Sequence, residues 1–154
     1  MGLRRTLQTA LGTIAFAVVA LPALADATLD GARARWQSAA LGSYEYGYQK
    51  YCDCHRENPP ETVVTVRGGS VTGVRHRPAG STTEVPGKDF EYYWTVDGLF
   101  ALIASAQQRG VQVRATYDPE LGFPREIYID YDTKLIGDEL DVRLTGVTRL
   151  DAAR

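Results

Sequence analysis

Val111-Gln-Val-Arg-Ala-Thr-Tyr-Asp-Pro-Glu-Leu-Gly-Phe-Pro-Arg-Glu-Ile-Tyr-Ile-Asp-Tyr131 reads as two strands and the turn that folds one onto the other. Val111, Val113 and Ala115 alternate with Gln112, Arg114 and Thr116, and Ile127, Ile129 and Tyr131 alternate with Glu126, Tyr128 and Asp130. A period of two sends one set to a core and the other to water. The connection is dense in turn formers. Asp118 can cap it, Pro119 fixes its own φ, Gly122 tolerates positive φ, and Pro124 lacks a ladder donor where the second strand begins. Asp118, Asp130 and Asp138 are expected to hold this loop through backbone amides.

The segment before this hairpin reads as a helix. Thr95 caps it, Asp97 lies in its first turn, and Val96, Leu99, Phe100, Ile103 and Ala106 form an apolar stripe that Gly110 ends. After the hairpin, Leu140, Val142 and Leu144 alternate in a last strand, with a bulge expected at Gly146.

The preceding part of the chain has the same rhythm. Thr28 to Leu41 carries Leu29, Ala32, Trp36 and Ala40 at helical spacing, with Gly42 placed to end it. Ser43 to Tyr51 is a strand with Tyr44, Tyr46 and Tyr48 on one face. A stacking platform is conceivable there, but packing of the tyrosines over the first helix is the preferred reading. Thr62–Arg67 and Val71–Arg75 form a hairpin around Gly68-Gly69. His76 to Lys88 is read as a polar surface loop.

The predicted order is therefore helix, three strands, helix, three strands. The fold class is α+β: an antiparallel sheet of about six strands with two helices on one face, and a possible duplication of a helix-plus-three-strands unit.

The beginning of the chain has the three-part pattern of a signal peptide. Arg4 and Arg5 precede an apolar run from Leu11 to Leu24, and Ala23-Leu24-Ala25 is a small-x-small cleavage site. Residues 1–25 are assigned to the leader and 26–154 to one α+β domain. The apolar run is short for a bilayer span, so no stable membrane anchor is expected after cleavage. The destination is periplasmic or extracellular. The leader holds two arginines and no acid, so its removal takes the formal net charge from −2 to −4. An acidic balance without a basic run gives no general attraction for nucleic acid.

Laid out this way, the chain resembles a family of bacterial exported proteins and lipoproteins known as domain of unknown function 6174. The resemblance rests on Tyr44-x-Tyr46 leading to Cys52-x-Cys54, Val64-x-Val66-x-x-Gly69-x-Val71, and Thr95-Val96-Asp97-x-Leu99-Phe100. It continues through Tyr117-Asp118-Pro119-x-x-Gly122-Phe123-Pro124-x-x-Ile127-x-Ile129-Asp130 and Asp138-Glu139. It implies export and one compact domain, and no activity. The chain departs from the lipoprotein members in lacking a lipid-bearing Cys after the leader.

Three readings of Cys52 and Cys54 stand side by side. In an oxidising compartment they would form a disulfide, which at this spacing needs a bend at Asp53. They could remain free or pair between molecules. With His55 they could also hold a soft metal, for which the other histidine, His76, is the remaining partner. The disulfide is the preferred reading.

Asp130-x-Asp132 could begin a calcium loop, but Lys134 falls where a ligand belongs and the turn glycine is missing. The acids between Asp118 and Asp141 are instead read as loop stabilisers and solvated groups. No nucleophile elbow, zinc-protease pair or phosphate loop is present. The expected function is a non-catalytic binding or interaction module with no cofactor, meeting an unidentified protein or small molecule through Phe90, Tyr92, Tyr93 and Trp94. The alternative is a thiol-redox or soft-metal protein centred on Cys52, Cys54 and His55.

Overall fold

Thr28 accepts the N–H of Gly31 and starts α1, Leu29–Ala39, in a computed structural model that describes residues 28–51, 61–77 and 82–150. The left-handed residue after α1 is Ala40 (φ 47), not Gly42. Leu41 packs on the core, so the chain has to turn before it. The strands are β1 (Ser43–Tyr51), β2 (Glu61–Arg67), β3 (Ser70–Arg77), β4 (Thr83–Glu84), β5 (Gln112–Tyr117), β6 (Pro124–Asp130) and β7 (Leu140–Arg149). A short 3-10 helix, Gly87–Tyr92, precedes α2, Val96–Gln108.

The strands form one antiparallel sheet in the order β4-β3-β2-β1-β7-β6-β5. The α+β class stands, with corrections. There are seven strands among the described residues rather than about six. The added one, β4, falls in the segment read as loop: Glu84 pairs with Arg75, Thr83 with His76, and the Val85 N–H reaches the Val74 carbonyl. Two residues are too few to show alternation, so this strand leaves no periodic signal. His76 consequently belongs to β3 rather than to a polar loop.

The simple layer of two helices spread over one face also needs correcting. Helix α2 lies against β5 and β6, the 3-10 helix lies against β3, and α1 lies against α2. Helix α1 reaches the sheet through Trp36, edge-on to Tyr44 at 5.0 Å. The 3-10 segment and its aromatics complete the cover.

The buried face can be followed across the sheet by register. Val74 faces Val64, Val64 faces Tyr46, Tyr48 faces Leu144, and Val142 faces Ile127. These residues join Ala32, Trp36, Leu99, Phe100 and Ile103 in one buried cluster. Paired residues of antiparallel strands point to the same side, so a single face carries the core.

This register rules out a symmetric duplication. The three strands of each unit keep the same left-to-right order, yet equivalent strands run in opposite directions. A rotation that does both must turn the sheet over, which would put the two units' core residues on opposite faces. They share one face, so the repeated rhythm is a pattern and not a repeated structure.

The opposite face is partly wet, as the alternation implies, but β2 is buried on both sides from Thr62 to Val66. Glu45 and Arg75 form an ion pair over it, 3.1 Å apart, and Glu45 also accepts from Thr65 at 2.7 Å. Gly146 (φ 58) marks a register shift between β1 and β7, where the alternation breaks.

Candidate functional site

An aromatic ledge forms where the 3-10 helix hands over to α2. Tyr93 is extended (φ −119, ψ 139), and Thr95 caps α2 by accepting the Gly98 N–H at 3.0 Å. The Tyr46 hydroxyl donates to the Trp94 carbonyl from below. The Tyr93 ring meets Tyr48 edge-on at 5.6 Å, and the Trp94 ring lies 6.4 Å from the same tyrosine. Lys50 places its ammonium 5.9 Å from the centre of the Trp94 ring, within cation–π range.

The sequence grouped Phe90, Tyr92, Tyr93 and Trp94 as one surface, and the structure separates them. Phe90, Tyr93 and Trp94 are half-buried and lean on the core. Tyr92 stands out at 65% exposure. The tyrosine row of β1 is the floor of the ledge, not a platform of its own. Tyr44, Tyr46 and Tyr48 are each at most 3% exposed.

Tyr48 has an additional property. Its hydroxyl is enclosed and finds no hydrogen-bond partner among the described residues. Burial pushes its pKa upward, with Tyr93 adding to the effect. Burial also raises Tyr93, and Asp89 contributes. Both hydroxyls therefore stay neutral through the physiological range. Beside them, Thr62 sits opposite Tyr48 and His76 opposite Thr62, with Thr62 Oγ1 2.9 Å from His76 Nδ1. Composition gives no sign of this pair, because it exists only through the register of β2 on β3.

The ledge thus offers flat apolar faces, one ammonium and one imidazole edge. That set can hold an aromatic or amphipathic group by stacking and hydrogen bonding. Among the described residues no three metal-ligating side chains converge. Strand β1 ends at Tyr51 beside the ledge and β2 resumes at Glu61; Cys52, Cys54 and His55 lie outside the described residues.

The central hairpin's loop has a structural role. Asp118 Oδ1 accepts the N–H groups of Glu120 (3.0 Å) and Leu121 (2.8 Å). The Asp118 carbonyl accepts from Gly122, and the Asp118 N–H reaches the Phe123 carbonyl. Gly122 (φ 82) sits so close to α1 that a Cβ there would meet the Ala32 carbonyl oxygen. Pro119 lies in this turn, and Pro124 opens β6 opposite Tyr117, where a ladder donor is least needed. Asp130 is not part of this loop; it ends β6, near Asp132, Asp138 and Glu139.

A second concavity was not visible in the sequence. A groove of about 770 Å³ runs between the start of α1, the end of α2 and β5, with Asp30, Arg33, Gln107 and Arg114 on its walls. Arg33 is already engaged there, donating to the Phe100 carbonyl at 3.0 Å and lying 5.6 Å over the Phe100 ring.

Comparison with known proteins adds one finding. The model of a family described as "Family of unknown function (DUF6174)" matches residues 28–149. No curated protein and no solved structure matches the chain.

Proposed function

The chain belongs to this family of unknown function, and on that footing we propose that it is an exported, non-catalytic binding module whose contact surface is the ledge of Tyr92, Tyr93 and Trp94 with Lys50. One observation carries the surface. Tyr92 is 65% exposed and next in the chain to Tyr93, whose ring, with that of Trp94, packs on Tyr48 of buried strand β1. Exposed aromatics on a rigid base are the usual anchors of binding surfaces, since they lose little side-chain freedom on contact.

The leader pattern of residues 1–25 supports export, to the periplasm or outside the cell. Given that compartment, Cys52 and Cys54 are read as a disulfide in the segment that leaves β1 beside the ledge. The partner is a protein or a small molecule with an apolar, planar group.

Expression of the full chain in a bacterial host, followed by fractionation and intact-mass measurement, tests this reading. The expected product is found outside the cytoplasm, begins at Asp26, and is two hydrogens lighter than its reduced form. An intracellular chain with its leader intact would remove export and with it the argument for the disulfide. A thiol pair that takes up zinc stoichiometrically would replace the binding-module reading with the soft-metal one.

A further inference from the structure

Strand β5 is the last strand on its side of the sheet, and no strand among the described residues pairs with its outer edge. The direction of its backbone groups follows from the hairpin. The Asp118 N–H reaches the Phe123 carbonyl, so that amide points toward β6. Backbone groups alternate sides along a strand. Thr116, Arg114 and Gln112, opposite Glu126, Tyr128 and Asp130, therefore point inward as well. The register shift near Tyr117 puts the extra residue, Arg125, on β6 and leaves this alternation intact. Val113, Ala115 and Tyr117 then turn their N–H and C=O groups outward. Among the described residues no hydrogen bond takes these groups up.

The side chains of the same residues face the core side. They are half-buried, and with Leu29 and Ala104 they line the groove of about 770 Å³. A strand added here would gain ladder bonds from the edge and cover apolar side chains beside it. Natural sheets guard a long edge with proline, lysine, a bulge or a charge. Strand β5 has no proline and no lysine. Its one charged side chain, Arg114, lies 4.2 Å from the centre of the Tyr128 ring, drawn back over β6. The opposite edge of the sheet, β4, is only two residues long.

We propose that β5 is a dimerisation edge, and that its occupant is β5 of a second copy of this chain, antiparallel about a two-fold axis at Ala115. The outward row selects this occupant. An axis at Ala115 sets Ala115 against Ala115 and Val113 against Tyr117, so every outward N–H and C=O meets its complement. An axis at Val113 or Tyr117 would run part of the row past the end of the other strand. The side-chain pairs agree with the Ala115 register. Val113 with Tyr117 is a β-branched–aromatic pair, and Arg114 faces Thr116, so no like charges meet. Strand β5 is three places from β1 in the sheet. The ledge therefore stays open in the dimer, and neither reading depends on the other.

The test uses the mature protein. Sedimentation and light scattering at about 100 μM, a hundredfold above a micromolar Kd, should give twice the chain mass. Amide hydrogen exchange on the unaltered chain locates the contact. Val113, Ala115 and Tyr117 should exchange as slowly as Gln112, Arg114 and Thr116. Ala115→Pro removes the central donor at an edge, where proline is tolerated, and Val113→Lys places a charge over the groove. Both variants should be monomers that keep the near-UV circular dichroism of the folded chain.

A monomer mass for the unaltered protein overturns the proposal. So does a dimer whose three outward amides exchange fast, because its contact lies elsewhere. Slow exchange in a particle of monomer mass would mean that the chain's own remaining residues cover the edge, and would overturn it too. A monomer whose outward amides gain protection only from an added valine–threonine repeat peptide would give the edge to foreign strands instead.

Discussion

The hydroxyl of Tyr44, in the middle strand of the sheet, accepts the backbone N–H of Val96, the first residue of α2, at 3.0 Å. The first turn of a helix leaves its N–H groups without partners in the helix itself. Thr95 satisfies Gly98 and Tyr44 satisfies Val96. The same tyrosine ring meets Trp36 of α1 edge-on. One side chain of β1 therefore fixes where both helices sit. Tyr44→Phe keeps the ring and strands the buried Val96 amide, which should cost about 1–3 kcal/mol. Urea denaturation measures it; a loss below the error of the method would mean the amide finds another partner.

Gly122 couples the central hairpin to α1. It combines positive φ (82°) with an approach that leaves no room for a Cβ against Ala32 and Arg35. Gly122→Ala should destabilise by about 2–4 kcal/mol through backbone strain and a forced shift of α1. Gly69→Ala shares positive φ (77°) but has open space around it, so it should cost about 1 kcal/mol. Equal losses in thermal melts would show that the contact with α1 contributes nothing.

The buried tyrosines make the fold sensitive to alkali. Burial raises Tyr44 to about 12, with the Val96 amide opposing and Asp97 adding, and burial raises Tyr46 and Tyr48 as well. A phenol whose folded pKa exceeds its unfolded value of roughly 10 supports the fold fully below that value. That support is lost as pH rises through 10 towards the folded value. In a spectrophotometric titration these three of the nine tyrosines should ionise late and together with unfolding. Smooth ionisation of all nine near pH 10 would contradict the packing.

On the wet face, enclosure tends to raise the pKa of Glu45, but hydrogen bonds from Thr65 and Arg75 outweigh it and hold the carboxyl below its usual value. Its contribution is present above the unfolded carboxylate value of roughly 4.3 and fades as pH falls through the lower folded one. The pair is partly exposed, so Glu45→Gln should cost no more than about 1 kcal/mol at neutral pH. The difference from wild type should close below about pH 4. A cost that persists in acid would assign it to packing over Val63 and Thr65 instead.

Periodicity carried most of this fold. The stripe from Val96 to Ala106, the tyrosine row of β1 and the alternation on either side of Asp118 place their residues where the structure has them, except Asp130, which the alternation sends to water and the structure buries. What periodicity missed lacks a period. Strand β4 is two residues long and pairs because Val85 is pinned to Val74. The end of α1 was misplaced because an alanine took the left-handed conformation that usually selects glycine.

The site was less legible than the fold. The aromatic composition of residues 90–94 was plain, but which ring faces outward depends on the 3-10 turn that precedes them. The Thr62–His76 pair and the free edge of β5 arise from register and strand order, which no local pattern encodes.

Fragment mapping by amide NMR tests the central claim, that the ledge is the binding surface, most directly. A library containing planar aromatic, sugar and peptide fragments would be added to the mature, isotope-labelled protein. The expected result is that the largest shifts cluster on Lys50, Tyr92, Tyr93 and Trp94, and that Tyr92→Ala weakens binding while leaving Tm almost unchanged. Shifts that gather instead in the groove of Asp30, Arg33, Gln107 and Arg114, with the ledge silent, would contradict it.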